Sequence, residues 1–387
     1  MYTSPNNQLL SRFEYSDLVD FITDLGWVKT ETQNGNWLVF TGMMDVSGDP
    51  LEIVLPKEVN KTDPARFMAL ALNTLSAVMD VDLEDLVLQI KYHDRDVLRV
   101  HNPDPENFDS ISLRVASQQV GELKQIVAYS ACSEENQKPF YINSHLLIAK
   151  RMVEDYRFGH TFRGSFGFTV ETPAISRAQF PVQKSALPQV VTDYEYKPIY
   201  RKVMERIVRG LILTERATIQ RNGKLLVDHY KEGFNSNMCR AIVNMSMGKQ
   251  IPLEFEISWS SRMKPHDENI NSPKKIRFEE DSYDTLEYAA NLLSELESED
   301  VTIHGLITEL KANDNPLGLD TSRSIIVRWE DELEGKIYNV YVVLDKDDYI
   351  KAIQAHREWM PVSIKGTLKL SKSHWRLIEY HDFNIAY

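Results

Sequence analysis

Residues 336–370 read KIYNVYVVLDKDDYIKAIQAHREWMPVSIKGTLKL, and this stretch decides the fold of the C-terminal part of the chain. Apolar and polar residues alternate through PVSIKGTLKL, which predicts a half-buried strand, and the run KIYNVYVVL predicts another strand. Between them, DKDDYIKAIQAHREWM predicts a helix, because Asp347 and Asp348 stand in the first turn, where the helix dipole favours carboxylates. The pattern therefore predicts a strand, a helix and a strand in direct succession.

The flanking sequence supplies three more strands. VTIHGLITEL (301–310) and RSIIVRWED (323–331) precede the stretch, and HWRLIEYHDFNI (374–385) follows it. Gly305 and Gly366 stand at the centres of the first and fourth strands, where a small barrel needs sharp bends. Residues 298–387 are therefore predicted to form a five-stranded β-barrel domain with one helix.

Three strands, a helix and two strands in this order resemble the OB-fold. The resemblance implies binding of an oligonucleotide or oligosaccharide on the face of the second and third strands, beside the first-to-second and fourth-to-fifth loops. Arg328 and Tyr341 alternate out of phase with the more apolar side of those strands, so they could present a guanidinium and a ring to a stacked base. The residues that could follow a phosphate backbone are Lys365, Lys369, Lys372 and Arg376. The alternative is a barrel used for protein contacts, since a fold does not determine a function.

Residues 1–90 carry the pattern α-β-β-β-α. SDLVDFITDLG (16–26) predicts the first helix, and two strand-like runs around Asn34–Gly35 predict a hairpin. This order resembles the double-stranded-RNA-binding-domain fold and the small toxins of the HicA type. Such toxins carry a catalytic histidine after a glycine of the hairpin, whereas NGNWLVF here has none. The segment has 14 acids against 5 bases, so we interpret it as a structural or protein-contact module.

Residues 91–297 form a mixed α/β middle region in this interpretation. DVLRV and SISLRVA predict strands, whereas residues 174–197, with two prolines and no helical period, predict a loop or linker. A helix over 198–221 carries a basic stripe at i, i+4, i+7 and i+14, formed by Lys202, Arg206, Arg209 and Arg216. Such a helix can lie along nucleic acid, bind an acidic partner, or dock on the acidic N-terminal module of the same chain.

The stretch RFGHTFRGSFGFTVETP (157–173) has part of the spacing of a phosphate-binding loop. No lysine follows Gly164, and a helix precedes the loop instead of following it, so the P-loop pattern fails. Arg157, His160, Arg163 and Ser165 nevertheless offer enough donors to hold one phosphate or carboxylate. We favour the alternative, in which the phenylalanines of the stretch pack a sheet and the polar residues satisfy loop carbonyls.

Composition narrows the function further. The chain has 387 residues, a net charge of −13 and only two cysteines, Cys132 and Cys239, so non-specific duplex binding and a disulfide framework are disfavoured. No metal-binding spacing, nucleophile motif or cofactor fingerprint is present, and we expect neither metal nor cofactor nor a catalytic site. No apolar run is long enough to span a membrane, and we expect no signal peptide and a cytoplasmic location.

Together these patterns predict a multidomain α+β protein. Phrases such as FRGSFGF, FNSNMCRAI and AHREWMPVSIKGTLK are similar to those of a bacterial protein family, and this resemblance implies no activity. The leading hypothesis is a non-enzymatic accessory protein that contacts single-stranded DNA or RNA, in bacterial DNA maintenance or phage defence. Two alternatives stay open: a protein-binding adaptor without nucleic-acid contact, and an enzyme with its anion site at 157–165.

Overall fold

The computed structural model places three groups of elements along the chain. It describes residues 9–31, 35–44, 48–58, 63–103, 111–141, 147–159, 166–176, 197–271, 275–296, 299–315, 318, 321–330, 337–371 and 374–386. The predicted linker 174–197 lies mostly outside these residues. The protein is a multidomain α+β structure, as the sequence predicts.

The N-terminal elements follow the predicted α-β-β-β-α order. They are α1 (Tyr15–Asp24), β1 (Val28–Glu31), β2 (Trp37–Met44), β3 (Pro50–Pro56), α2 (Pro64–Met79) and a further helix α3 (Leu83–Lys91). The strands form an antiparallel sheet in the order β1-β2-β3. Phe21, Phe40, Leu55 and Leu72 are buried together, so the helices close one face of the sheet. Asp63 caps α2 through its side chain, and Pro64 stands at the first helical position, where its missing N–H costs nothing.

The middle elements are β4 (Val97–Asn102), α4 (Leu113–Glu135), α5 (Leu147–Asp155), β5 (Arg157–Phe158), β6 (Phe166–Glu171), α6 (Ile199–Ile219), α7 (Lys224–Asp228), α8 (Ser236–Met245), β7 (Leu253–Ser258), α9 (Glu268–Asn271), β8 (Lys275–Phe278) and α10 (Glu280–Glu295). Their strands form one sheet in the order β5-β6-β4-β7-β8. The prediction of a strand over SISLRVA is wrong from Leu113 onward. Ser112 accepts a hydrogen bond from the Val115 N–H and so begins a helix there.

The C-terminal elements form a closed five-stranded barrel. They are β9 (Glu299–Ala312), β10 (Arg323–Glu330), β11 (Ile337–Leu344), α11 (Lys346–Glu358), β12 (Val362–Ser371) and β13 (His374–Ile385), and the strands are ordered β10-β11-β13-β12-β9. The β11–β13 pair is parallel and the other pairs are antiparallel. This arrangement is compatible with an OB-like fold.

Both predicted barrel glycines lie where the chain is crowded. A Cβ on Gly305 would stand 2.2 Å from the Arg328 carbonyl oxygen, and one on Gly366 would stand 2.8 Å from Cα of Tyr380. The β12–β13 register also shifts between Lys365 and Thr367, beside Gly366. A side chain at either position would therefore push neighbouring strands apart.

Contacts between residues divide the chain into two units. The first unit comprises Met1–Ile111, Glu154–Val208 and Pro252–Arg277, and the second comprises Ser112–Val153, Arg209–Ile251 and Phe278–Tyr387. The predicted boundaries near residues 90 and 297 fall inside the first and second unit, respectively. The barrel belongs to the second unit, and the N-terminal sheet belongs to the first.

Candidate nucleic-acid interface

Tyr341 and Arg376 meet on the outer surface of the barrel. Tyr341 points outward because its neighbours Val340 and Val342 are buried in the barrel core. The parallel register pairs Tyr341 of β11 with Arg376 of β13. The guanidinium carbon of Arg376 lies 5.3 Å from the centre of the Tyr341 ring, which is the geometry of a cation–π interaction.

Lys369 extends this pair onto a third strand. It pairs in register with Arg376, and its neighbours Leu368 and Leu370 point into the core. Tyr341, Arg376 and Lys369 therefore form a row across β11, β13 and β12, which we call the outer row. Adjacent strands lie about 4.8 Å apart, so the outer row spans roughly 10 Å.

Arg328 lies next to the outer row on the neighbouring strand. It is exposed on β10 and stands opposite Asn339, two residues from the position that pairs with Tyr341. Residues in this diagonal relation across antiparallel strands have Cα atoms about 7–8 Å apart. A long arginine side chain covers that distance, so Arg328 adds a third positive charge near the ring.

Two apolar side chains lie beside the outer row. Val343 is 50% exposed and Ile378 is 39% exposed, and each is two residues from a member of the outer row on the same strand. The sequence interpretation missed both. The signal was present, because the outward positions of β11 are Ile337, Asn339, Tyr341 and Val343, more apolar than a purely solvated face requires.

The remaining barrel lysines lie elsewhere. Lys365 is exposed, but its register partner on β13 is Asp382, so a carboxylate and not a ring stands beside it. Lys372 lies outside the described residues. The outer row with Arg328 is therefore the part of the predicted nucleic-acid face that the structure brings together.

The basic stripe of α6 does not form one open surface. Arg206 is buried, Lys202 and Arg209 are half-buried, and Arg216 is exposed. Arg209 donates a hydrogen bond to the Glu232 carbonyl at 3.4 Å. Lys202 and Arg206 belong to the first unit, whereas Arg209 and Arg216 belong to the second. Burial leaves Arg206 unavailable to a ligand at the surface.

The predicted anion site at 157–165 is only partly described. Arg157 is exposed on β5 and stands opposite Glu171 in register. His160, Arg163 and Ser165 lie outside the described residues. Of the phenylalanines in this stretch, Phe168 is buried in the sheet whereas Phe158 is 54% exposed. Phe168 therefore packs within the sheet, whereas Phe158 contacts the Phe168 ring and stays largely exposed.

A buried polar cluster lies inside the first unit. Asp96 accepts hydrogen bonds from Arg201 Nη2 at 2.6 Å and from the Ser260 N–H at 3.0 Å, and both charged side chains are fully buried. The Arg201 guanidinium also lies 5.0 Å from the Trp259 ring centre. Burial raises the pKa of Asp96 and raises that of Tyr156 well above its ordinary value. Because Asp96 and Arg201 are closed to solvent, we assign them a structural role.

Metal and membrane features are absent from the part of the chain that the structure describes. There, no group of three or more His, Cys, Asp or Glu side chains is placed to hold a metal ion. Nor does any helix combine the length and apolar character needed to cross a membrane. No protein-family model, curated protein or solved structure matches this chain.

Proposed function

We propose that the barrel binds single-stranded nucleic acid through the outer row and Arg328. The observation that carries this proposal is the Arg376 guanidinium placed 5.3 Å from the Tyr341 ring centre, with Lys369 next in the same row. Single-strand binding combines aromatic side chains, on which bases stack, with cations that contact the phosphates. In the outer row both groups are held side by side on strands rather than on flexible loops.

The surroundings favour a single strand over a duplex. Val343 and Ile378 extend the apolar area beside the ring, and apolar area suits unstacked bases, which a duplex does not expose. The chain as a whole carries a net charge of −13, which repels the dense phosphate charge of a duplex from most of the surface. A local basic and aromatic patch on an acidic protein therefore suits a short single-stranded segment. The OB-like strand order supports the same proposal.

Fluorescence anisotropy tests this proposal directly. Full-length protein is titrated into labelled single-stranded DNA, single-stranded RNA and the matching duplex at two salt concentrations. We expect micromolar or tighter single-strand binding that weakens with salt, and about tenfold or greater weakening in Arg376→Ala and Lys369→Ala. Lys346→Ala is the control, because Lys346 is exposed on α11 and outside the outer row. Absence of single-strand binding at low salt, or equal binding of the duplex, contradicts the proposal.

Protein binding is the second candidate function, and a different surface of the barrel domain favours it. On α11 and at its end, Ile350, Ile353 and Trp359 are exposed. Ile350 and Ile353 lie one turn apart on the helix, and exposed apolar patches often mark a protein contact. Co-purification with wild-type protein, Trp359→Ser and Arg376→Ala separates the two functions. A partner lost only in Trp359→Ser supports protein binding, whereas a partner lost in neither variant argues against this surface.

A further inference from the structure

An open cleft of about 600 Å³ lies in the first unit, beside the β5–β6 hairpin. Three segments line it: the residues before and in the first turn of α1, the end of α3 with the turn after it, and the hairpin. Clefts of this volume accept small organic ligands. The outer row, by contrast, belongs to the second unit.

The carboxylates that line the cleft are already engaged. Glu14 and Asp17 form a reciprocal capping box at the start of α1, in which the Glu14 N–H donates to Asp17 Oδ2 at 2.8 Å. Arg95 Nη1 donates to Glu171 Oε2 at 3.3 Å. Glu14 and Asp17 thus accept hydrogen bonds from backbone N–H groups and keep their formal charge, whereas Glu171 is paired with Arg95.

Two of the cations that line the cleft are not engaged in this way. Neither Arg12 nor Lys91 forms an ion pair with any residue that the structure describes. Lys91 Nζ instead lies 4.9 Å from the centre of the Tyr92 ring, and Arg12 is exposed. The lining therefore balances three cations against three carboxylates, and Arg12 and Lys91 are the two cations left to contact an anionic group.

The hairpin adds an aromatic wall. Phe158 is 54% exposed, and its ring centre lies 5.5 Å from that of Phe168, which is buried in the sheet. Gly159 follows, and a Cβ there would stand 2.5 Å from Glu171 Oε1. A larger residue at this position would displace the end of the Glu171 side chain, and both Phe158 and Gly159 line the cleft.

We infer that this cleft binds a mononucleotide, with the base stacked on Phe158 and the phosphate held by Arg12 and Lys91. A planar aromatic group and an anionic group joined in one small molecule match the two kinds of lining side chain. The engaged carboxylates Glu14 and Asp17 keep lone pairs that can accept hydrogen bonds from ribose hydroxyls. This site is independent of the single-strand binding proposed for the barrel.

Isothermal titration calorimetry of the full-length protein tests the inference with AMP, adenosine and inorganic phosphate. We expect AMP to bind more tightly than either fragment. Arg12→Ala/Lys91→Ala should reduce AMP affinity to about that of adenosine. Phe158→Leu should weaken AMP binding about fivefold to more than a hundredfold, which is the range for the loss of one stacked base. Phe158→Tyr keeps the aromatic ring and should keep the affinity for AMP.

Arg114→Ala provides the charge control, because Arg114 is an exposed arginine of the second unit. It should leave AMP affinity unchanged. Thermal melting of each variant checks that the exposed substitutions leave the fold intact. No heat of binding at millimolar AMP overturns the inference, and so does AMP affinity that is the same in wild type, Arg12→Ala/Lys91→Ala and Phe158→Leu. Binding of inorganic phosphate as tight as that of AMP overturns the nucleotide assignment.

Discussion

Arg376 and Tyr341 stand opposite each other across the parallel strands β11 and β13, with the guanidinium carbon 5.3 Å from the ring centre. The pairing restricts both side chains, because the ring holds the guanidinium and the guanidinium covers one part of the ring. Less side-chain freedom is then lost when a ligand binds. In the proposed binding mode, a base stacked on the open part of the Tyr341 ring lies beside the charge of Arg376.

Substitution of Tyr341 separates ring stacking from hydroxyl chemistry. Tyr341→Phe keeps the aromatic face, so we expect single-strand affinity near that of wild type. Tyr341→Leu removes the face and should weaken binding by about 1–3 kcal/mol, the range for one stacked base. Anisotropy titration of both variants with one labelled oligonucleotide measures the difference. Equal affinities of the two variants would show that the ring does not stack on a base.

The salt dependence of single-strand binding measures the number of phosphate contacts. Each cation that contacts a single-stranded phosphate adds about −0.7 to the slope of log K against log salt concentration. Arg328, Lys369 and Arg376 together should therefore contribute a slope of about −2. Each single alanine variant should make the slope less steep by about 0.7, as measured by titration at four salt concentrations. An unchanged slope in all three variants would assign the phosphates to other residues.

The barrel could be predicted from sequence because its signals are local. Val362, Ile364, Leu368 and Leu370 alternate with polar residues within one strand, and that period alone defines the strand and its inner face. Gly305 and Gly366 likewise indicate crowded positions from the sequence alone, before the neighbouring strands are known. The two-residue period of SISLRVA is also a local signal, but the strand prediction is wrong there because Ser112 caps a helix that begins at Leu113.

The pairs that define the sites could not be predicted in this way. Tyr341 and Arg376 were each expected on the binding face, but their contact depends on the parallel register of strands 35 positions apart in sequence. Asp96 and Arg201 are separated by 105 positions, and the predicted strand DVLRV and the predicted helix over 198–221 gave no sign that both residues become fully buried. Such contacts are set by tertiary packing and not by local pattern.

Removal of Arg201 should destabilise the first unit strongly. Arg201→Met leaves the fully buried Asp96 without its cationic partner, and breaking a buried ion pair in this way costs about 3–5 kcal/mol. Arg201→Met/Asp96→Leu removes both charges and should recover much of that loss. Urea denaturation measures the free energy of unfolding. A small effect of Arg201→Met, similar to that of the exposed control Arg216→Ala, would contradict the assigned role.

Phe140 should anchor the segment between α4 and α5 to the barrel. Its ring is buried in the barrel core, 5.8 Å from the ring centre of Trp375. Phe140→Ala should cost about 3–5 kcal/mol, the usual range for a truncated core aromatic. Leu147→Ala is the control, since this leucine is exposed and should change stability by less than about 0.5 kcal/mol. Chemical denaturation followed by tryptophan fluorescence compares the two variants, and equal stabilities would contradict the anchoring role.

The two cysteines should be inert in the folded protein. Cys132 and Cys239 are both buried, and burial raises the pKa of Cys239 from 9.0 to about 12. Because the thiolate is the reactive form, we expect almost no labelling by a thiol-specific disulfide reagent at pH 8, and labelling of both thiols after denaturation.

A raised pKa of Cys239 means that the folded state keeps a proton that the unfolded state loses. The contribution of Cys239 to stability is therefore complete below pH 9 and falls as the pH rises from 9 towards 12. Cys239→Ala removes this titration, so its stability should decline less over that range than that of wild type. Rapid labelling of native protein at pH 8 would show that a thiol is accessible and would contradict the buried placement.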